Sequence, residues 1–107
     1  VKRLEWEAAL DAGVYEGSAV DVADGFIHFS TADQAPETAR RHFAGQNDLL
    51  VLAVDAGALG RDLRWEPSRG GALFPHLYAP LRIDLVIETR AAPLRDDGIA
   101  DLGPLDP

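Results

Sequence analysis

The run "LLVLAV", Leu49–Val54, is apolar at every position. A strand with one wet face alternates polar and apolar side chains, so a run without alternation reads as a strand covered on both faces, and hence as a central one. Coverage on both faces implies helices packed over the sheet, and the flanking sequence offers two helical patterns. In "LEWEAALDAG", residues 4–13, Trp6, Ala9, Leu10 and Gly13 recur at helical spacing while Glu5, Glu7 and Asp11 take other faces, and Gly13 can close the last turn. Further on, Thr31 and Gln34 have the spacing of a capping box, and Ala35, Ala39 and Phe43 form one apolar stripe ending at Gly45. Pro36 is tolerable only in the first turn, so a start at Pro36 with Ala35 as cap is the other reading.

Working outward, "FIHF" at residues 26–29 reads as a compact strand interrupted only by His28, and residues 14–25 before it as a turn-rich connector. Leu73 and Phe74 suggest a short extended piece before Pro75, and "RIDLVIE", residues 82–88, alternates Ile83, Leu85 and Ile87 inward. The proline- and aspartate-rich tail, residues 98–107, reads as loosely held. The fold class expected is α+β: one domain over residues 1–107, with two main helices against a small split sheet of mixed or antiparallel strands.

Eighteen acidic against ten basic side chains give a formal charge of −8. That balance repels polyanions at long range and argues against general nucleic-acid binding. No apolar run approaches the roughly 20 residues that span a bilayer, which argues against a membrane role. With no cysteine, disulfides and thiolate chemistry are excluded. A reducing compartment suits such a chain, and its first residues show no basic-then-apolar leader pattern, so a cytoplasmic location is expected.

Chemistry-bearing residues concentrate in "RWEPSRGGALFPHLY", residues 64–78. Gly70 and Gly71 allow positive φ and the prolines fix turn geometry, which a loop needs; Glu66, Arg69, His76 and Tyr78 are more than a loop needs. In an extended segment His76 and Tyr78 project to the same side. Glu66 and Arg69, three apart, read either as an ion pair bracing the turn or as an arginine clamp and a carboxylate facing an oxygen-rich ligand. A second candidate place is "IHFST", residues 27–31, where His28 and Ser30 share a strand face and Ser30 and Thr31 gather at the start of the next helix. His28 reads either as a buried, satisfied core ring or as a site residue; His42 reads as a boundary residue. Three histidines and Glu66 come from separate elements with no His-x-x-x-His spacing, so no metal site is expected.

Taken together, "DGFIHFSTADQAPETARRHFAGQNDLLVLAVD", "LRWEPSRGGALFPHLY" and "IDLVIE" resemble the small bacterial proteins grouped as domain of unknown function 952. That resemblance implies an ADP-ribosyltransferase-like fold, in which a split sheet grips NAD in a cleft. A narrower similarity is to the RNA 2′-phosphotransferases, on His28-Phe29-Ser30, Thr38-Ala39 and Val54-Asp55-Ala56; their first-strand motif has no counterpart in residues 1–17. By this likeness the cofactor class is NAD or ADP-ribose, and His28 and Ser30 face the nucleotide; Thr31 joins the ligand side from its place at the helix start. Arg69, Gly70 and Gly71 would meet its phosphate, with Glu66, His76 and Tyr78 lining the wall. The functional expectation is a cleft for a nucleotide-like or phosphorylated small molecule, with group transfer at a ribose carbon in which Glu66 and His28 are the catalytic pair. The alternative is a non-catalytic protein-interaction module using the Trp65–Tyr78 loop, whose Trp, Tyr and Arg are interface residue types.

Overall fold

The structure is a computed structural model that describes residues 1–105, with the side chain of Arg69 outside the description. Three α-helices and seven strands follow one another as α1 (Arg3–Ala12), β1 (Val14–Tyr15), α2 (Ala19–Asp24), β2 (Ile27–His28), α3 (Ala35–His42), β3 (Leu49–Val54), β4 (Leu63–Pro67), β5 (Leu73–Leu77), β6 (Leu81–Arg82) and β7 (Val86–Ala92). A 3₁₀ segment, Ala56–Asp62, leads into β4, and two short 3₁₀ turns, Arg69–Gly71 and Ile83–Leu85, precede β5 and β7. All pairings are antiparallel, in three small sheets: β1 with β6, β3 with β7, and β2–β5–β4. The fold is α+β. No helix among the described residues is long and apolar enough to cross a membrane.

The unbroken apolar run is covered on both faces, but not by lying in the middle of a broad sheet. β3 pairs β7 from Leu49↔Ala92 to Val54↔Val86, with a bulge at Ala53/Val54. Along its other edge lie only the first residues: Val1 and Leu50 exchange backbone hydrogen bonds of 2.8 and 2.7 Å, and Lys2 bridges Leu49. Leu50, Leu52 and Val54 face the main core with Trp6, Ala9, Tyr15, Ile27, Leu77 and Leu81. Leu49 and Val51 face a second, smaller core built from Phe43, Ala92, Ala100 and Leu102. The tail is what fills that second face. Asp101 N–H donates to Pro93 O, Gly45 N–H to Gly98 O, and the Arg90 guanidinium to Leu102 O and Pro104 O. Where composition suggested a loose tail over 98–107, the chain is hydrogen-bonded through residue 104; residues 106–107 lie outside the described ones. Arg90→Ala should therefore raise amide exchange at Asp101 and Gly103 about tenfold, the equivalent of one lost charge-assisted hydrogen bond, with exchange in β3 unchanged.

Two further readings of the sequence are corrected. The supposed connector holds α2, capped by a reciprocal box in which Ser18 Oγ accepts from Asp21 N–H and Asp21 Oδ2 accepts from Ser18 N–H; among the described residues a third, short helix thus joins the two main ones. The inward alternation of Ile83, Leu85 and Ile87 breaks because Ile83–Leu85 is a 3₁₀ turn, so Ile83 and Leu85 pack on the core while Ile87 is 72% exposed. At α3, Thr31 and Gln34 do exchange side-chain-to-backbone bonds of 3.1 and 3.3 Å, but across the turn that precedes the helix, which begins at Ala35 with Pro36 in its first turn.

Candidate functional site

The register of β2–β5–β4 sorts its side chains into two faces. Ile27 is paired with Leu77, and Leu77 with Leu63; this row enters the main core. One residue along, His28 is paired with His76, and His76 with Arg64, so these three project from the opposite face. The period of two adds Glu66 and Tyr78 to the same face, and Phe26, just before β2, folds over it.

His76 is the buried histidine, 6% exposed, while the His28 side chain is 37% exposed. Of the two readings of His28, the core ring is the one that fails: Ile27 takes the core side of the strand, so His28 takes the other. The Phe26 ring stacks on His76 at 4.1 Å and 22°, and lies tilted against His28 at 4.5 Å and Tyr78 at 5.2 Å. The two imidazoles meet edge to face at 5.6 Å.

Each imidazole is held by a carboxylate. His28 Nδ1 lies 2.6 Å from Asp21 Oδ1, which also accepts the His28 backbone N–H at 3.2 Å. On the outer side, His28 Nε2 lies 3.0 Å from Asp24 Oδ2. Donation to both acids requires the doubly protonated ring. His76 Nδ1 lies 2.9 Å from Glu66 Oε1, and Tyr78 O–H donates to the same oxygen at 2.6 Å. The Tyr78 hydroxyl, followed by His76, holds the Glu66 carboxyl below its ordinary range, and Glu66 in turn pushes the Tyr78 phenol up. Arg64 sits over the Tyr78 ring, 4.8 Å from its centroid, a cation–π contact that places a guanidinium at the rim.

The structure thus joins His28, Glu66, His76 and Tyr78 on one face. Ser30 and Thr31 make their bonds toward α3: Ser30 Oγ is 2.8 Å from Thr38 Oγ1, and Thr31 is tied to Gln34, whose Nε2 donates to Leu73 O. Gly70 and Gly71 occupy the tip of the β4–β5 hairpin at φ 71 and 84°, beyond the start of β5 at Leu73, which already lies three residues, or about 10 Å, from His76. Nothing crowds the position where a Cβ would stand at either glycine, so what the tip requires of them is the left-handed backbone. The Arg69 side chain is outside the described residues; Glu66 pairs with His76 and Tyr78. His42 is exposed on α3. Among the described residues no three His, Asp or Glu side chains are set to hold a metal ion. Two shallow depressions lie elsewhere, one beside Lys2 and Asp48, the other between α1 and Glu16.

Three contributors were missed in the sequence: Asp21, Asp24 and Phe26. A signal for Asp21 existed in the Ser18-x-x-Asp21 spacing with a glycine stop at Gly25, which marks a short capped helix.

A family model described as a protein of unknown function, DUF952, matches residues 1–89. The chain belongs to the DUF952 family. Its match takes in every residue of the imidazole face and stops before the segment that covers the outer side of β3. The X-ray structure of protein CC0527 from Caulobacter crescentus is 54% identical, with a TM-score of 0.92 over 94% of this chain and 88% of that one. A solution NMR structure of CC0527 is 55% identical, with a TM-score of 0.83 over 92% of this chain and 85% of that one. No curated protein matches. The DUF952 assignment and the α+β fold stand on these matches, which lend no support to the ADP-ribosyltransferase likeness.

Proposed function

We propose that the outer face of β2–β5–β4 binds a nucleotide-like or phosphorylated small molecule. The observation that carries this reading is the pair of carboxylate-held imidazoles, His28 and His76, side by side on neighbouring strands beside Phe26, Tyr78 and Arg64. Such a face offers N–H donors and a guanidinium to ligand oxygens, and aromatic surface to a planar ring. Glu66, kept ionised by two donors, suits the stabilisation of positive charge developing at a ribose carbon, and NAD or ADP-ribose is the ligand class that such group transfer would use. In this reading Glu66 and His28 touch the reacting part, and Ser30, Thr31 and the Gly70–Gly71 backbone meet outlying parts of the ligand.

The test is a titration of the ¹⁵N-labelled protein with ADP-ribose, NAD and inorganic phosphate. Saturable shifts are expected at residues 25–31 and 64–78, absent in His28→Ala. Unmoved resonances there at millimolar ligand would remove the reading.

One observation favours a second reading, a protein-docking module: Trp65 is 48% exposed on the edge strand β4, on the face away from the imidazoles, with Leu73 also exposed. A single stoichiometric partner lost in Trp65→Ala, with His28→Ala unaffected, would select it.

Glu66 also gives a pH prediction. Its folded-state pKa lies below the ordinary value of 4.5, so its contribution to stability is present above that value and is lost as pH falls through the lower, folded-state one. The stability difference between wild type and Glu66→Gln should therefore be constant near neutrality and shrink in acid. Urea unfolding at stepped pH reads it; a difference that grows below the ordinary carboxylate range contradicts the assigned network.

A further inference from the structure

We propose that Asp24 is a built-in stand-in for the ligand's anionic group, occupying the outward nitrogen of His28 until a phosphate oxygen displaces it. The inference rests on the ligand-face reading and deepens it, since it names the atom that meets the phosphate: His28 Nε2.

Asp21 alone suffices to hold the ring. It is 8% exposed, it is fixed by the capping box, and it binds both the His28 backbone N–H and Nδ1. That leaves Nε2 pointing outward, and the group against it at 3.0 Å is the Asp24 carboxylate, 49% exposed. Asp24 is the last residue of α2, which has no basic side chain in its final turn. A carboxylate at a helix C-terminus opposes the helix dipole, so helix stability does not account for an acid here. An exposed contact of this kind is worth a factor of about five or less in an equilibrium constant, weak enough for a phosphate to replace. Gly25, at φ 89°, follows directly as the turn out of the helix, so Asp24 sits at the end of its element, where its side chain can swing aside without disturbing the Asp21 cap. Phosphate in the same place would meet the ring that Asp21 has already oriented, with Arg64 at the rim. The ligand class is a small molecule carrying a phosphate or diphosphate group.

The experiment compares wild type, Asp24→Asn and Asp11→Asn by ¹⁵N-resolved titration with ADP-ribose and with inorganic phosphate. The imidazole nitrogens of His28 are followed directly. Asp11→Asn, on α1, makes the same change in net charge away from the face. Removing the internal competitor should tighten binding in Asp24→Asn by up to about fivefold, while Asp11→Asn binds as wild type, and the ligand-induced shift should be largest at His28 Nε2. If wild type binds and Asp24→Asn binds equally or more weakly, the stand-in is overturned while the ligand face survives. Equal tightening in both variants overturns it too, as a general charge effect. If neither wild type nor Asp24→Asn responds to either probe at millimolar concentration, the ligand face itself fails and takes this inference with it. Response to ADP-ribose alone places the recognised phosphate in a nucleotide; response to both probes shows that the phosphate oxygens suffice.

Discussion

Asp21→Ala should destabilise the protein by about 4 kcal/mol in urea unfolding, the largest single loss expected from any acidic residue described above. The buried carboxylate accepts Ser18 N–H at 2.8 Å, His28 N–H at 3.2 Å and meets His28 Nδ1 at 2.6 Å, so alanine removes the side-chain half of the capping box, strands a strand amide and releases the ring, while the residue 21 N–H stays on Ser18 Oγ. Losing the side-chain half of the capping box costs up to about 1 kcal/mol, a charge-assisted bond about 2, and an unsatisfied amide about 1 or more. The three losses share one carboxylate, so the sum is an approximate ceiling. Because small domains have only about 5–15 kcal/mol in reserve, the variant should unfold at markedly lower urea. Asp21→Asn keeps one oxygen acceptor and should lose about half as much. The approach of Gly17 adds a structural check. A Cβ there would stand 2.6 Å from the Asp21 Cβ, so the loop before α2 closes directly on this residue. A loss under about 1 kcal/mol for Asp21→Ala would mean that Asp21 does not organise α2 and β2 together.

How far the sequence reaches can be judged from the same residues. Absence of alternation in Leu49–Val54 correctly implied coverage on both faces, because that inference needs only the strand period. What covers it, the first two residues along one edge and Ala100 and Leu102 over the outer face, comes from opposite ends of the chain, and no local pattern encodes that pairing. Thr31 and Gln34 were legible for the opposite reason, since their hydrogen bonds span only three residues. In the site, His76 and Tyr78 on one side followed from strand geometry, but Glu66 joins them only through the β4–β5 register, which places Arg64 opposite His76. Asp21 and Asp24 were hidden because α2 is only six residues long and lies inside a stretch whose glycines and charges resemble a loop. His28 stayed open between core ring and site residue because its neighbours on both sides are apolar; alternation around Ile27 assigns its face once the core side is known.

The second large effect is expected at His76, and it separates packing from hydrogen bonding on the face. His76→Ala should cost about 3 kcal/mol, through a cavity on the central strand of the β2–β5–β4 sheet, loss of the Phe26 stack at 4.1 Å, and loss of one donor to Glu66. His76→Phe restores ring area against Phe26 but gives Glu66 nothing, so it should cost only about 1 kcal/mol. The chemical readout runs the other way. With His76 gone in either variant, Tyr78 O–H remains the described donor to Glu66, so the Glu66 carboxyl should titrate closer to its ordinary value in both, by ¹³C-detected NMR. If the face were only the outside of a core, stability would follow ring area and Glu66 would titrate alike in wild type and His76→Phe. A built polar face instead requires the two measurements to part: near-native stability in His76→Phe together with a Glu66 carboxyl moved upward. Unchanged Glu66 titration in His76→Phe would remove the His76–Glu66 couple from the site and leave His28 as its only carboxylate-held imidazole.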